Sequence, residues 1–242
     1  MATVEPVVLI LGSGKNIGQS VGKYFAAKGY GVAFVSRNVD EDFSKPKEIT
    51  IRCDLTKPES VAGVFERVKS HLGVPTTVVY NAYGLTVTGN EGPLSVSLDD
   101  FTSSFHANTT SVLAALKQSV KYWEALPDDA KPTFIFTGNG FWEKPIPAAL
   151  DLGVGKAATA NMIQLLVETY KAKSYKFYFA DERMADGDLA WYCHDGDAHA
   201  ELYYELSVAP EQRPWNHTFV KGKGYDFFEN ANITDGSWAT PK

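Results

Sequence analysis

The chain has 242 residues, 44% of them hydrophobic and 21% charged, with a formal net charge of -6. One α/β domain fits that length comfortably and two well-cored domains do not, and the composition is that of a globular chain. The acidic balance argues against nucleic acid as a partner. Cys53 and Cys193 are too far apart in sequence to build a disulfide framework or a zinc signature. The apolar run Val7 to Leu11 has no basic leader, and no stretch approaches the ~20 apolar residues of a membrane span. The expectation is a cytoplasmic protein without a membrane partner.

Val7 to Leu11 reads as a buried strand that runs into Gly12-Ser13-Gly14. A helical pattern follows from Ile17 to Ala27, then a strand from Gly31 to Val35 and a short one from Ile49 to Cys53. Pro58 opens a helix to about Leu72, at a position where its missing N–H costs nothing. Thr77 to Tyr80 is the next strand, Leu98 to Leu126 a long helix stopped by Pro127, and Thr133 to Thr137 another strand. A helix from about Gly155 to Lys173 precedes a strand from Lys176 to Phe179. Beyond these come a helical stretch near Ala198 to Leu206, a last strand from His217 to Val220 and a polar, poorly ordered tail from Asn230 to Lys242. Continuous apolar strands are buried on both faces, and their alternation with helices is the pattern of a doubly wound parallel sheet, with about seven parallel strands. The expected organisation is a single α/β Rossmann domain over residues 1–242, with a small aromatic substrate lid at 183–215.

Gly12, Gly14, Lys15, Asn16, Ile17 and Gly18 lie at the first strand–helix turn. Glycines there let backbone N–H groups approach a pyrophosphate, and the helix N-terminus adds positive potential. At the end of the second strand, where a carboxylate would bind a ribose 2′-hydroxyl, the residues are Ser36-Arg37-Asn38. Arg37, with Lys15, suits a 2′-phosphate instead, so the expected cofactor is NADP(H).

On these residues the chain resembles the short-chain dehydrogenase/reductase superfamily from about residue 6 to residue 180. Gly12 to Gly18 is similar to the family's glycine motif, with Asn16 in place of its middle glycine. Asp54-Leu55 is similar to the segment that cups adenine, and Asn81-Ala82-Tyr83-Gly84 to the segment after the fourth strand. Asn108 stands where the family has its structural and catalytic Asn. Lys156 matches the lysine of the Tyr-x-x-x-Lys motif. The resemblance also marks two departures: the tyrosine position falls on Leu152 and the serine position on Asn139. Asp181-Glu182-Arg183 replaces the usual Pro-Gly. The resemblance is thus to atypical, fungal-type members that lack the catalytic Tyr and Ser, as in imine reductases and cyclases of alkaloid pathways.

The missing tyrosine matters because a ketone needs a proton as well as a hydride, and general acid catalysis is worth about 10²–10⁴-fold. Leucine has no proton to give; Asn139 can donate only a hydrogen bond. Three routes remain. The acceptor is an iminium, or an enone protonated by water; or another acid is recruited from Asp151, Glu143, Tyr83, Glu182, Tyr192 and His194; or the cofactor is bound without turnover, in a sensor, scaffold or cyclase. The candidate catalytic residues are Lys156, Asn108 and Asn139. The candidate cofactor residues are Gly12, Gly14, Lys15, Asn16, Ile17, Gly18, Arg37, Asn38, Asp54, Leu55, Asn81, Ala82, Tyr83 and Lys156. Phe141-Trp142, Pro145-Ile146-Pro147, Trp191-Tyr192 and Tyr203-Tyr204 read either as the lining of a site for a small hydrophobic substrate or as the core packing of a small lobe. No metal is expected. Cys193, His194, Asp195, Asp197 and His199 match no ligand signature and read as loop and cap chemistry, with Asp197 as the helix cap. The resemblance implies a homodimer or homotetramer, assembled through the helices that carry Asn108 and Lys156.

Overall fold

The computed structural model describes residues 5–127 and 129–228, so the tail from Asn230 onward lies outside the described residues. Among them the strands are β1 (Val7–Leu11), β2 (Gly31–Ser36), β3 (Asp42–Lys45), β4 (Glu48–Arg52), β5 (Thr77–Tyr80), β6 (Thr133–Thr137), β7 (Lys176–Arg183), β8 (Asn216–Val220) and β9 (Gly224–Tyr225). The helices are α1 (Ile17–Ala27), α2 (Val61–His71), α3 (Leu98–Phe105), α4 (Ser111–Trp123), α5 (Leu150–Thr169) and α6 (Gly196–Val208). The sheet order is β3-β4-β2-β1-β5-β6-β7-β8-β9. All strands from β4 to β8 in that order run parallel, and β3 and β9 close the two edges antiparallel. This is the doubly wound α/β fold.

Side chains alternate along β1 and so divide the core. Val7, Leu9 and Leu11 pack under α2, α4 and α5 with Phe65, Leu116 and Ile163. Val8 and Ile10 pack under α1 and α6 with Val21, Phe25, Tyr203 and Leu206. The edge hairpin strand β3 was not expected, because Asp42, Ser44 and Lys45 give no apolar alternation. No helix among the described residues is long and apolar enough to cross a membrane.

Three element boundaries and one helix cap differ from the sequence reading in ways that bear on the site. The helix expected over 98–126 is interrupted by a π-turn at His106–Thr110 and ends at Trp123. Asn108, inside that turn, is turned toward Gly84. The helix expected to start at Gly155 starts at Leu150, so Lys156 lies in its second turn and not at its N-terminus. Gly155 is needed there because a Cβ would sit 2.4 Å from the Asn108 Cβ. The strand expected to end at Phe179 runs on through Asp181, Glu182 and Arg183, which are buried and register with Thr218, Phe219 and Val220 of β8. Finally, Asp195 and not Asp197 caps α6, accepting from Asp197 N (3.0 Å) and Ala198 N (2.9 Å). The other end of α6 is held by Lys176. Its Nζ donates to the carbonyls of Leu206 (3.0 Å), Ser207 (2.8 Å) and Ala209 (2.7 Å).

Candidate cofactor and active site

At the carboxyl ends of β1, β2, β4 and β5 lies a cavity of about 530 Å³. Gly12, Gly14, Arg37, Asp54, Leu55, Asn81, Ala82 and Tyr83 all line it, as the sequence reading placed them. Its far wall, Thr86, Asp100 and Ser104 among others, comes from the loop after β5 and from α3 and was not foreseen.

The glycines are there for different reasons. Gly12 has φ +100°, and a Cβ on it would meet the Ala82 N at 2.4 Å. That close approach is tied by Asn81 Nδ2, which donates to the Gly12 carbonyl (2.9 Å). At Gly18 a Cβ would strike the Ser13 Cα at 2.6 Å, so helix and turn can pack only without one. Gly14 is different: a Cβ there would meet nothing within 4 Å. Its bareness serves no contact inside the protein and leaves the turn open. Beside it the Ser13 hydroxyl is buried with no hydrogen-bond partner among the described residues. The first turn of α1 has no side-chain cap, and of its N–H groups that of Gln19 is taken by the Gly14 carbonyl (3.0 Å), which leaves those of Ile17 and Gly18 to face the turn. An orphaned hydroxyl, an open glycine and an uncapped helix N-terminus together fit an anionic group.

Arg37 and Asn38 are exposed at the end of β2, and Lys15 is exposed in the glycine turn. Arg37 lines the cavity; Lys15, Asn16, Ile17, Gly18 and Asn38 lie outside its wall. Burial works against the Asp54 carboxylate. Hydrogen bonds from the Thr56 N–H and hydroxyl, with the charges of Arg37 and Lys57, outweigh it and hold its pKa below the usual value. Asn16 Nδ2 donates to the His194 carbonyl (2.8 Å), joining the glycine turn to the segment ahead of α6.

The three candidate catalytic residues do not line the cavity. Asn108 is fully buried and makes a two-way link to Gly84. Asn139 is half-buried, and its Oδ1 accepts from the Phe141 N–H (3.2 Å). Lys156 is 4% exposed; its Nζ donates to the Thr137 carbonyl (2.7 Å) and lies 4.2 Å from the centroid of the Phe136 ring. Leu152 packs with Phe141, Ile146, Ala149 and Leu189, and Trp191 closes over Phe141 with ring centroids 4.5 Å apart.

A buried charge cluster surrounds this wall. Arg183 Nε donates to Asp181 Oδ2 (2.6 Å), its NH2 to Glu143 (3.3 Å) and its NH1 to the Gly187 carbonyl (3.1 Å). Asp181 is fully buried, and its Oδ1 has no hydrogen-bond partner among the described residues. Burial pushes the Asp181 carboxyl up to about 6 against the pull of Arg183. Burial likewise pushes the Lys156 ammonium down to about 7, opposed by the charge of Asp181.

A short chain dehydrogenase family model matches residues 6–176. The chain belongs to the short-chain dehydrogenase family. A short chain dehydrogenase/reductase, dmxR12 of Cryptosporiopsis sp. (strain 8999), is 40% identical over 239 residues, covering 93% of this chain and 95% of that protein. A 3-oxoacyl-[acyl-carrier-protein] reductase of Mus musculus is 30% identical over 125 residues, 49% of this chain and 51% of its own length. Among solved structures, a short-chain dehydrogenase/reductase of Serratia marcescens superposes with a TM-score of 0.70 at 20% identity, covering 90% of this chain and 96% of that one. A metagenomic short-chain oxidoreductase in complex with NADP superposes with a TM-score of 0.72 at 15% identity, covering 87% and 96%. At such identities the likeness concerns the fold.

Within this short-chain dehydrogenase three of the candidate acids, Asp151, Glu143 and Glu182, are already engaged. Asp151 accepts from the Thr86 N–H (2.8 Å) and the Leu152 N–H (2.7 Å). Glu143 pairs with Arg183, and Glu182 accepts from the Asp195 N–H (2.9 Å). Tyr83 is mostly exposed, and the Tyr192 side chain lies outside the described residues. The carboxyl that sequence reasoning passed over is Asp181. Its signal was an Asp-Glu-Arg triplet continuing an apolar strand, which reads as a strand end.

Proposed function

We propose that this short-chain dehydrogenase is an NADP(H)-dependent oxidoreductase, transferring hydride to a hydrophobic carbonyl, imine/iminium or enone acceptor without a tyrosine acid. The observation that carries this reading is the open Gly14 beside the orphaned Ser13 hydroxyl, in a cavity rimmed by Arg37. When bound, the dinucleotide supplies the hydride. The backbone of residues 12–18 binds its pyrophosphate, Arg37 and Lys15 its extra phosphate, and Asp54 and Leu55 its adenosine end. Lys156 spends one of its donors on Thr137, and the others would reach ribose hydroxyls once the wall that buries it opens to the cofactor. Leu152, Phe141 and Leu189 keep water from the reacting end, and Asn139 offers an amide donor to a developing oxyanion. Asp181, with a carboxyl that titrates at about 6, is the buried group best suited to hold a proton there.

A cytoplasmic homodimer or homotetramer completes the reading. Leu113 of α4 and Leu165 of α5 are exposed beside Leu116, Val120 and Met162, an apolar patch on the two helices through which a second copy would pack. A second reading, nucleotide binding without turnover, rests on the sealing of Lys156 and Leu152 away from the cavity. Titration with NADPH and NADH, followed by the absorbance of the reduced nicotinamide against ketone, iminium and enone panels, separates the two. Tighter NADPH binding with oxidation by an acceptor supports the first reading. Binding with no oxidation supports the second, and no binding overturns both.

A further inference from the structure

On β7, Asp181 and Arg183 face the charge cluster beside Lys156, while Glu182 points the other way, to the N-terminal end of α6. There its Oε2 lies 3.3 Å from His194 Nδ1 and 3.4 Å from His199 Nδ1. The ligating atoms of these three side chains all fall within 4.8 Å of one another. Metal–ligand bonds of about 2.0–2.1 Å in a tetrahedron set neighbouring ligand atoms about 3.4 Å apart. Glu182 and His199 are buried, and His194 is half-buried, on the segment just ahead of α6.

The hydrogen bonding of His199 adds a second observation. Its Nδ1 lies 2.8 Å from the Asp195 carbonyl, and its Nε2 is buried with no partner among the described residues. The ring stands nearly perpendicular to those of Tyr203 (5.5 Å) and Phe219 (5.0 Å). With the proton on Nδ1, a bare acceptor is left buried in that aromatic pocket. With the proton on Nε2, an N–H faces aromatic rings, a weak donor contact. Nδ1 then turns its lone pair toward the Glu182 carboxylate and the Asp195 carbonyl. With the His194 Nδ1 also unprotonated, three acceptors, the Glu182 Oε2 and the two Nδ1 atoms, converge on one point, which suits a cation.

We propose that Glu182, His194 and His199 bind a divalent transition metal, which fastens the segment ahead of α6 to the end of β7. Two imidazoles and a carboxylate select Zn²⁺ or Co²⁺ over Mg²⁺ and Ca²⁺, which prefer oxygen donors. Water on the half-exposed His194 side completes the coordination. Because Asn16 holds the His194 carbonyl, the site also steadies the glycine turn. The spacing in sequence carries no signature, since one ligand comes from a strand and two from a loop and a helix. The proposal is independent of the cofactor reading.

The test uses the whole chain, free of any histidine tag and stripped with EDTA, then titrated with ZnCl₂, CoCl₂ and MgCl₂ by calorimetry. The expected result is one equivalent of Zn²⁺ per chain, a raised Tm, visible d–d absorption with Co²⁺ and no heat with Mg²⁺. His194→Ala, at a half-exposed position, is expected to keep the far-UV circular dichroism of the parent and to weaken Zn²⁺ affinity by about tenfold or more. Glu182→Gln and His199→Gln are expected to do the same. Cys193→Ser is expected to leave binding unchanged, which keeps the exposed neighbouring thiol out of the account. No Zn²⁺ binding by the folded parent overturns the proposal. So does equal affinity in His194→Ala.

Discussion

Asn108 and Gly84 hold each other by two hydrogen bonds: Asn108 Nδ2 donates to the Gly84 carbonyl (2.8 Å), and the Gly84 N–H donates to Asn108 Oδ1 (3.0 Å). A side chain here acts as a neighbouring strand would, fixing the loop that lines the cavity to the π-turn between α3 and α4. The Asn108 carbonyl also accepts from the Thr159 hydroxyl of α5 (2.7 Å), so one residue joins three segments. Asn108→Ala leaves both Gly84 groups without these partners and opens a hole at a fully buried position. An orphaned buried group costs about 1–3 kcal/mol, and because Gly84 is only partly buried the two together are expected to cost toward the lower end, about 2–3 kcal/mol by urea denaturation. Gly155→Ala is expected to disturb the same link from the other side, because its Cβ would overlap the Asn108 Cβ. An unchanged urea midpoint for both variants would show that the link carries no stability.

The glycine turn separates folding from binding. Gly12→Ala forces a side chain into the left-handed region and against the Ala82 backbone at 2.4 Å, so the protein is expected to be strongly destabilised. Gly14→Ala meets nothing within 4 Å and is expected to leave the Tm unchanged or slightly raised. If a pyrophosphate occupies that space, the same methyl group weakens dinucleotide affinity by about tenfold or more, a cost of about 1.4 kcal/mol. A Gly14→Ala variant that binds nucleotide like the parent counts against the cofactor reading.

How much of this could be read beforehand depends on the kind of signal. Val7–Leu11, Thr77–Tyr80 and Thr133–Thr137 were legible because a strand buried on both faces is apolar at every position or nearly so. In the cavity lining, Gly12, Gly14 and Arg37 followed from the order of strands and turns, and Asp54, Leu55, Asn81, Ala82 and Tyr83 from the family resemblance. Asp181–Arg183 was not legible as strand, because burying three charges depends on partners such as Glu143 that are distant in sequence. The π-turn was hidden because one extra residue in a turn hardly alters helical periodicity. Asp195 and Asp197 are equally good caps by residue type, and only the backbone path decides between them. The burial of Lys156 was missed because its helix begins earlier than Gly153 and Gly155 suggest.

Arg37 is the side chain on which the choice of nucleotide turns. It lines the cavity and is exposed, and its charge helps to lower the pKa of Asp54. Arg37→Ala is expected to weaken NADPH binding by about tenfold while leaving NADH nearly unaffected, because only the former carries the 2′-phosphate. Added salt is expected to weaken NADPH binding in the parent more than in the variant, since the lost contact is between exposed charges. Equal losses for both nucleotides would move Arg37 from phosphate recognition to general support of the cavity.

The burial of Lys156 and Asp181 makes stability depend on pH in a direction that can be worked out. Burial lowers the Lys156 pKa from 10.5 to about 7, so between those values the unfolded chain binds a proton that the folded chain does not. Stability then rises with pH across that window, by up to about 1.4 kcal/mol per pH unit for a whole proton. Asp181 works in the opposite sense lower down. Its pKa is raised from 3.8 to about 6, so the folded state binds the extra proton and stability falls as pH rises through that range. The two effects meet between about pH 6 and 7, where both groups are charged and buried, and their joint contribution is least favourable there. Lys156→Met is expected to flatten the rise above pH 7, and Asp181→Asn the fall below pH 6, in urea denaturation at matched ionic strength. A Lys156→Met profile parallel to the parent's from pH 7 to 9 would show that the lysine keeps an ordinary pKa in the folded protein.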